Sequence, residues 1–190
     1  VGIIIGTRPD CAGSEVMDYL EQLNRQTFMI VEYGIESVSD KTLLRVNRGH
    51  DFECSRHALV ETHNRGILTC GHIILGLPGE SAEENIRQSE VVSKLKLDIL
   101  KLHQLQIIKG TQLAEEYCRE PFKLYSADEY IDLCIRYLER LRNDIIVERF
   151  VSQSPADMLI APKWGLKNYE FTNRLVNEMK RRGTWQGRLL

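Results

Sequence analysis

Five short apolar runs recur along the chain, at Gly2–Gly6, Phe28–Ile35, Ile67–Leu75, Ile99–Ile107 and Ile145–Phe150, and each has the length and β-branched content of a strand. Between them Ser14–Asn24, Asp51–Arg65 (closed by Gly66), Ala82–Lys96, Gln112–Arg119 and Ala127–Arg142 carry apolar residues at helical spacing. Strands alternating with helices in this way predict right-handed βαβ crossovers and a parallel sheet, hence an α/β fold. Ser81 with Glu84, and Ser126 with Glu129, have capping-box spacing, which fixes where two helices start.

Side chains alternate across a strand, so the second run has two distinct faces. Val31, Tyr33 and Ile35 share one, and Glu32, Gly34 and Glu36 share the other. Carboxylates on the inner face of a parallel strand are costly unless they meet a ligand or a cation, and a structural network with basic neighbours is the other way to satisfy them. In the third run Cys70, His72, Ile74 and Gly76 share a face, which predicts that His72 points into the same space as Glu36. The fourth places Lys101 and His103 together, while Gln104 and Gln106 leave its orientation open. Convergence from several strands predicts a concave site on an open or partial barrel. The stretch from His72 to Glu80 ends in Gly76-Leu-Pro-Gly-Glu80, a strand whose carboxyl end opens into a loop before a helix. Ligands of α/β proteins bind at such strand ends.

Composition narrows the classes. The 190 residues are 43% apolar, enough for a sizeable core, and the formal net charge of -2 supplies no basic field for duplex nucleic acid. Lys180-Arg181-Arg182 reads as a solvated helix end. No apolar run approaches the roughly 20 residues that span a bilayer, and no leader pattern opens the chain, so the expected location is cytoplasmic with no membrane partner. Cys11, Cys54, Cys70, Cys118 and Cys134 are an odd set without C-x-x-C spacing, which predicts reduced thiols rather than a disulfide framework, with Cys70 the one on a site-facing strand. The chain opens with Val1 directly inside a strand-like run. That predicts a fragment of a longer polypeptide, and an exposed edge at Val1–Gly6 that invites pairing with a second copy.

Five motifs in register carry a family resemblance: Gly6-Thr-Arg-Pro-Asp10, Tyr33-Gly-Ile-Glu-Ser37, Asn47-Arg-Gly-His50, His72 to Glu80, and Leu105-Gln-Ile-Ile-Lys-Gly-Thr111. Together they resemble the later part of radical S-adenosylmethionine (SAM) enzymes, most of all the YhcC-like family of Fe-S oxidoreductases, and more distantly the oxygen-independent coproporphyrinogen oxidases and the Elongator catalytic subunit. The resemblance runs from Val1 to about Gly187. It implies a partial (β/α)₆ barrel in which a [4Fe-4S] cluster, reduced by an electron donor, binds and cleaves SAM to release a radical that abstracts hydrogen from a substrate. The family's three closely spaced cluster cysteines are absent, so the resemblance implies a C-terminal part whose cluster ligands lie outside this chain and which is inactive by itself.

Residue by residue, Glu36 and Ser37 match positions that meet the SAM ribose or methionyl group, and Arg48 matches an arginine on the SAM carboxylate, a role suited to a planar fork of donors. His72 matches a polar position on the adenosine side, where the oxidases place an acid. The Gly76–Gly79 loop matches the adenine approach, with Ile74 as an apolar wall. Thr7, Arg8 and Asp10 either face SAM or substrate or form a structural turn. Residues 1–150 are expected to form the barrel part. Residues 151–190 are expected to form a cap over the substrate side, from Pro155–Trp164 and a helix near Tyr169–Arg182, with Trp164 and Trp185 as packing anchors. Two other readings fit the same residues: a cluster-free α/β enzyme or binding domain whose Glu36, Arg48 and His72 hold an anionic metabolite, and a half-barrel that self-associates without catalysis.

Overall fold

A computed structural model describes residues 1–190. Five parallel strands form one sheet in the order β1 (Gly2–Thr7), β2 (Phe28–Glu36), β3 (Leu68–Leu75), β4 (Ile99–Gln104) and β6 (Ile146–Arg149). The crossovers carry α1 (Ser14–Asn24), α2 (Asp40–Arg45) with α3 (Phe52–Asn64), α4 (Ala82–Val92), and α5 (Gln112–Arg119) with α6 (Ala127–Leu138). A two-stranded antiparallel sheet pairs β5 (Ile107–Ile108) with β7 (Leu159–Ala161), and α7 (Asn168–Arg182) follows.

The apolar face of β2 decides which side the helices cover. Val31, Tyr33 and Ile35 are fully buried in one core with Met17 and Leu20 of α1 and Ala58 and Leu59 of α3. Inside it the Tyr33 hydroxyl pairs with Thr62 Oγ1 at 2.7 Å, which satisfies both groups where water cannot reach. The opposite face, carrying Glu32, Gly34, His72 and His103, has no such helix layer and is only partly buried. An α/β sheet covered on one side with polar groups on the other is the expected partial barrel.

Both capping boxes form. Ser81 Oγ accepts from the Glu84 amide at 3.2 Å while Glu84 accepts from the Ser81 amide at 2.7 Å, and Ser126 with Glu129 repeats the exchange. Other boundaries differ from the sequence reading. The run Ile99–Ile107 is two strands: Leu105 still follows β3 through its amide to Leu75 O at 3.1 Å, after which Ile107 leaves to pair with Ala161. α4 stops at Val92 and α6 at Leu138, short of Lys96 and Arg142. α2 lies where the hydrophobic pattern predicts no element. It is six residues long, too short for a periodic signal, and is started by Ser39 accepting from the Thr42 amide.

The C-terminal segment contributes to two layers. Phe171 and Leu175 of α7 join the main core beside α6, so this helix extends the outer layer. At the strand ends lies a small second core built from Leu77, Leu105, Ile107 and Ala114, against which Ile74, Val46 and the C-terminal segment's Ile160 and Ala161 pack. Trp164 is an anchor, stacked on Phe171 with ring centroids 5.8 Å apart and donating to Tyr125 O at 3.1 Å. Trp185 is not: it is 61% exposed and lies under the Arg188 guanidinium. No helix is long and apolar enough to cross a membrane.

Candidate functional site at the strand ends and the open face

The carboxyl end of β2 is built around one bulge. Register with β3 slips between Gly34 and Glu36, and Glu36 takes the left-handed backbone at φ 69°, a conformation that costs a non-glycine residue about 1–2 kcal/mol. The bulge turns the Glu36 carboxylate back over Gly34. The motif Asn47-Arg-Gly-His50 supplies its neighbour: Asn47 and Gly49 also have positive φ, at 53° and 84°, and the sharp loop returns Arg48 to β2. Arg48 Nη2 donates to Gly34 O at 2.7 Å and lies 3.7 Å from Glu36 Oε1. A Cβ at Gly34 would sit 2.6 Å from Arg48 Nη2, so only glycine allows this approach. Burial pushes the Glu36 carboxyl above the usual range, against the pull of Arg48. Arg48 Nε is buried and has no hydrogen-bond partner.

Ser37, placed beside Glu36 by the sequence, is turned the other way. It is fully buried, and its hydroxyl donates to Glu80 Oε1 at 2.5 Å. Glu80 also accepts from Gln88 Nε2 at 2.9 Å, and burial raises its carboxyl despite these bonds. Ser37 and Glu80 therefore tie the end of β2 to the loop after β3. In that loop Gly76 and Gly79 have φ of 90° and 93°, and the Gly76 amide is held by Asn85 Oδ1 at 3.0 Å. A cavity of about 630 Å³ opens here between Gly76–Ala82, Arg45, Glu116 and the Glu120–Tyr125 segment. Arg8 is engaged locally: its fork binds both Asp10 oxygens, with Nε to Oδ1 at 2.9 Å, and the backbone closes a tight turn over Pro9–Cys11. Thr7 Oγ1 reaches only Arg8 O, at 3.4 Å.

His72 does not meet Glu36. Because β2 pairs Gly34 with His72 and Glu32 with Cys70, the carboxylate within reach is Glu32, whose Oε2 lies 3.2 Å from His72 Nε2. Glu36 pairs with Arg48 and His72 with Glu32, so the three residues do not form one bonded group. Glu32 instead anchors a polar network across the open face. Lys101 Nζ bonds Glu32 Oε1 and lies 3.1 Å from Glu148 Oε1, the His72 and His103 rings are 5.1 Å apart, and Arg149 Nε donates to His103 Nε2 at 3.2 Å. Burial works to raise the Glu32 carboxyl, but the bond and charge of Lys101, with His72, outweigh it and hold it low. Burial pulls His72 down, so at neutral pH it donates to Glu32 as an uncharged imidazole.

The donor atoms of Glu32, Cys70 and His72 lie within 4.8 Å of one another, the one grouping here that has metal-ligand chemistry. It does not fit a metal. Burial and the Glu32 charge push the Cys70 thiol up to about 12, and Lys101 already occupies the carboxylate. Nor does any part of the chain offer the three thiolates of a [4Fe-4S] cluster, since Cys11 and Cys118 are exposed, Cys54 half-buried, and Cys70 and Cys134 buried, and no two of them join such a group. The sequence reading missed the roles of Glu80, Asn85 and Arg149. Alternation marks none of them, because each acts from a loop, a helix or a bulge.

Residues 1–87 match the radical SAM superfamily and residues 97–181 the radical SAM C-terminal domain. The Bacillus subtilis protein YtqA is 35% identical over 188 residues, which cover 99% of this chain and 58% of YtqA. Protein YhcC of Escherichia coli K12 is 33% identical over 165 residues, covering 86% of this chain and 53% of YhcC. The chain thus spans somewhat more than half the length of these curated relatives. Among solved structures, the archaeal Methanocaldococcus infernus Elp3 with an N-terminal deletion matches the fold with a TM-score of 0.86 at 23% identity, over 98% of this chain and 43% of that one. The fold, the five motifs in register and these matches together place the chain in the radical SAM superfamily, among its YhcC- and YtqA-like members.

Proposed function

We propose that this chain supplies the SAM-binding wall of a radical SAM oxidoreductase whose cluster is carried by a further part of a longer protein. The observation that carries the reading is Arg48, held over Gly34 by Nη2 beside a bulged Glu36. Arg48 Nη1 has no protein partner and is not sealed from solvent, so the guanidinium still presents a donor at the strand end, which fits a carboxylate such as that of SAM. Glu36 fits a hydroxyl or ammonium group of the same ligand. The Gly76–Gly79 loop, with backbone at positive φ and Ile74 behind it, fits a flat purine. Thr7 and Arg8 end the neighbouring strand and line the same rim.

In this reading the chain's own work is binding and orientation. Arg48 fixes one end of SAM, Glu36 the middle and the β3 loop the other, and the second core of Leu77, Leu105, Ile107 and Ala114 keeps water from the strand ends. When bound together, SAM and a [4Fe-4S] cluster supply radical chemistry that abstracts hydrogen from a substrate. Anaerobic iron-sulfur reconstitution tests the proposal. The longer protein is expected to take up a cluster and cleave SAM, and this chain alone to do neither; a longer protein that reconstitutes no cluster contradicts the reading.

A further inference from the structure

The two cations of the open face are treated differently. Lys101 and Arg149 are register partners and point the same way, but Lys101 has two carboxylates, Glu32 and Glu148, whereas no carboxylate pairs with Arg149. The bulge between β4 and β6 causes this asymmetry, because it swings Glu148 to Lys101 and leaves Arg149 beyond it. The protein contact that Arg149 makes is the Nε bond to His103 Nε2. Its terminal nitrogens are not sealed from solvent, so the rest of the fork opens onto the concave face.

His103 explains why the guanidinium keeps its charge unmatched. Burial first, and then the Arg149 charge itself, push this imidazole down to about 3, so it is neutral and serves as an acceptor on Nε2. A neutral acceptor fixes the plane of a guanidinium without cancelling its charge. A half-buried cation without a counter-ion is costly, and the cost falls when an anion arrives.

Resting on the reading of this chain as part of a radical SAM enzyme, we propose that the open face receives its substrate and that Arg149 takes an oxyanion of it, carboxylate or phosphate, through its terminal nitrogens. His103 is the positioning residue, and the Glu32–Lys101–Glu148 frame keeps the neighbouring charges from swinging onto Arg149. A planar fork held by one nitrogen presents its remaining donors in the paired geometry that carboxylate and phosphate oxygens accept.

The test is a titration of the chain, labelled at its histidine rings, with acetate and with methyl phosphate. A saturable, millimolar shift of the His103 ring is expected, weakened at least about tenfold in Arg149→Met and several-fold in Arg149→Lys, which keeps the charge but loses the fork. A response to acetate alone assigns a carboxylate, one to methyl phosphate alone a phosphate, and one to both the shared oxyanion chemistry. A His103 ring unmoved by either probe overturns the proposal, as does Arg149→Lys binding as tightly as the native chain. The readout needs no SAM, cluster or turnover, so its failure and a failure of the SAM reading are separately visible.

Discussion

Glu36 and Glu32 sit on the same face of β2, yet their surroundings give them opposite chemistry. Glu32 is held ionised by Lys101, whereas Glu36 has only a guanidinium 3.7 Å away and is raised by burial. Alternation placed both carboxylates on the inner face, but it did not show which histidine meets which acid, because the bulge at the end of β2 shifts every partner beyond Gly34. His103 offers a titration at this scale. Its folded-state value lies far below its unfolded one, so between about pH 3 and pH 6.5 the unfolded chain binds the extra proton and stability falls as pH drops. Discounted for partial solvent access, the loss between pH 7.5 and pH 5 is about 1–2 kcal/mol. Urea unfolding at the two pH values is expected to show a smaller loss in His103→Gln; an identical loss means that His103 is not held neutral.

Periodic signals long enough to be read were read at the level of elements. Five parallel strands and the capping boxes at Ser81 and Ser126 were legible because each reports local chemistry repeated over several residues. α2, β5 and β7 were not: six, two and three residues carry no usable period, and their formation depends on tertiary partners such as the Ile107–Ala161 pairing. The cap at Ser81 also fixes the loop that joins β3 to α4, since Asn85 Nδ2 returns to Ser81 O at 2.8 Å while Oδ1 holds the Gly76 amide. Ser81→Ala is expected to cost about 1 kcal/mol in chemical denaturation and to loosen amide exchange at Gly76. Unchanged exchange there places the cap outside the loop's support.

In the whole molecule, the polar face is a wall with an open side. β1 is an edge strand with Ile3 and Ile4 exposed, and the sheet order leaves it without an outer neighbour in this chain. An unpaired apolar edge is a template for another strand, so the chain alone is expected to show concentration-dependent mass in sedimentation, reduced in Ile4→Lys. Equal mass at all concentrations removes that pairing. The site itself was legible only in part. Glu36 and Arg48 lie together at the end of β2, while Ser37 is engaged by Glu80 and Arg8 by Asp10. Side chains of short reach at a strand end choose their partners through the packing of loops, which one-dimensional alternation does not encode.

The proposed SAM-binding wall stands or falls with Arg48. In the longer protein, reconstituted anaerobically, Arg48→Ala is expected to weaken SAM binding about 10- to 100-fold, the range for losing a charge-assisted hydrogen bond, with iron content unchanged. Unchanged SAM affinity would return Arg48 to a purely structural tie on Gly34 and contradict the account.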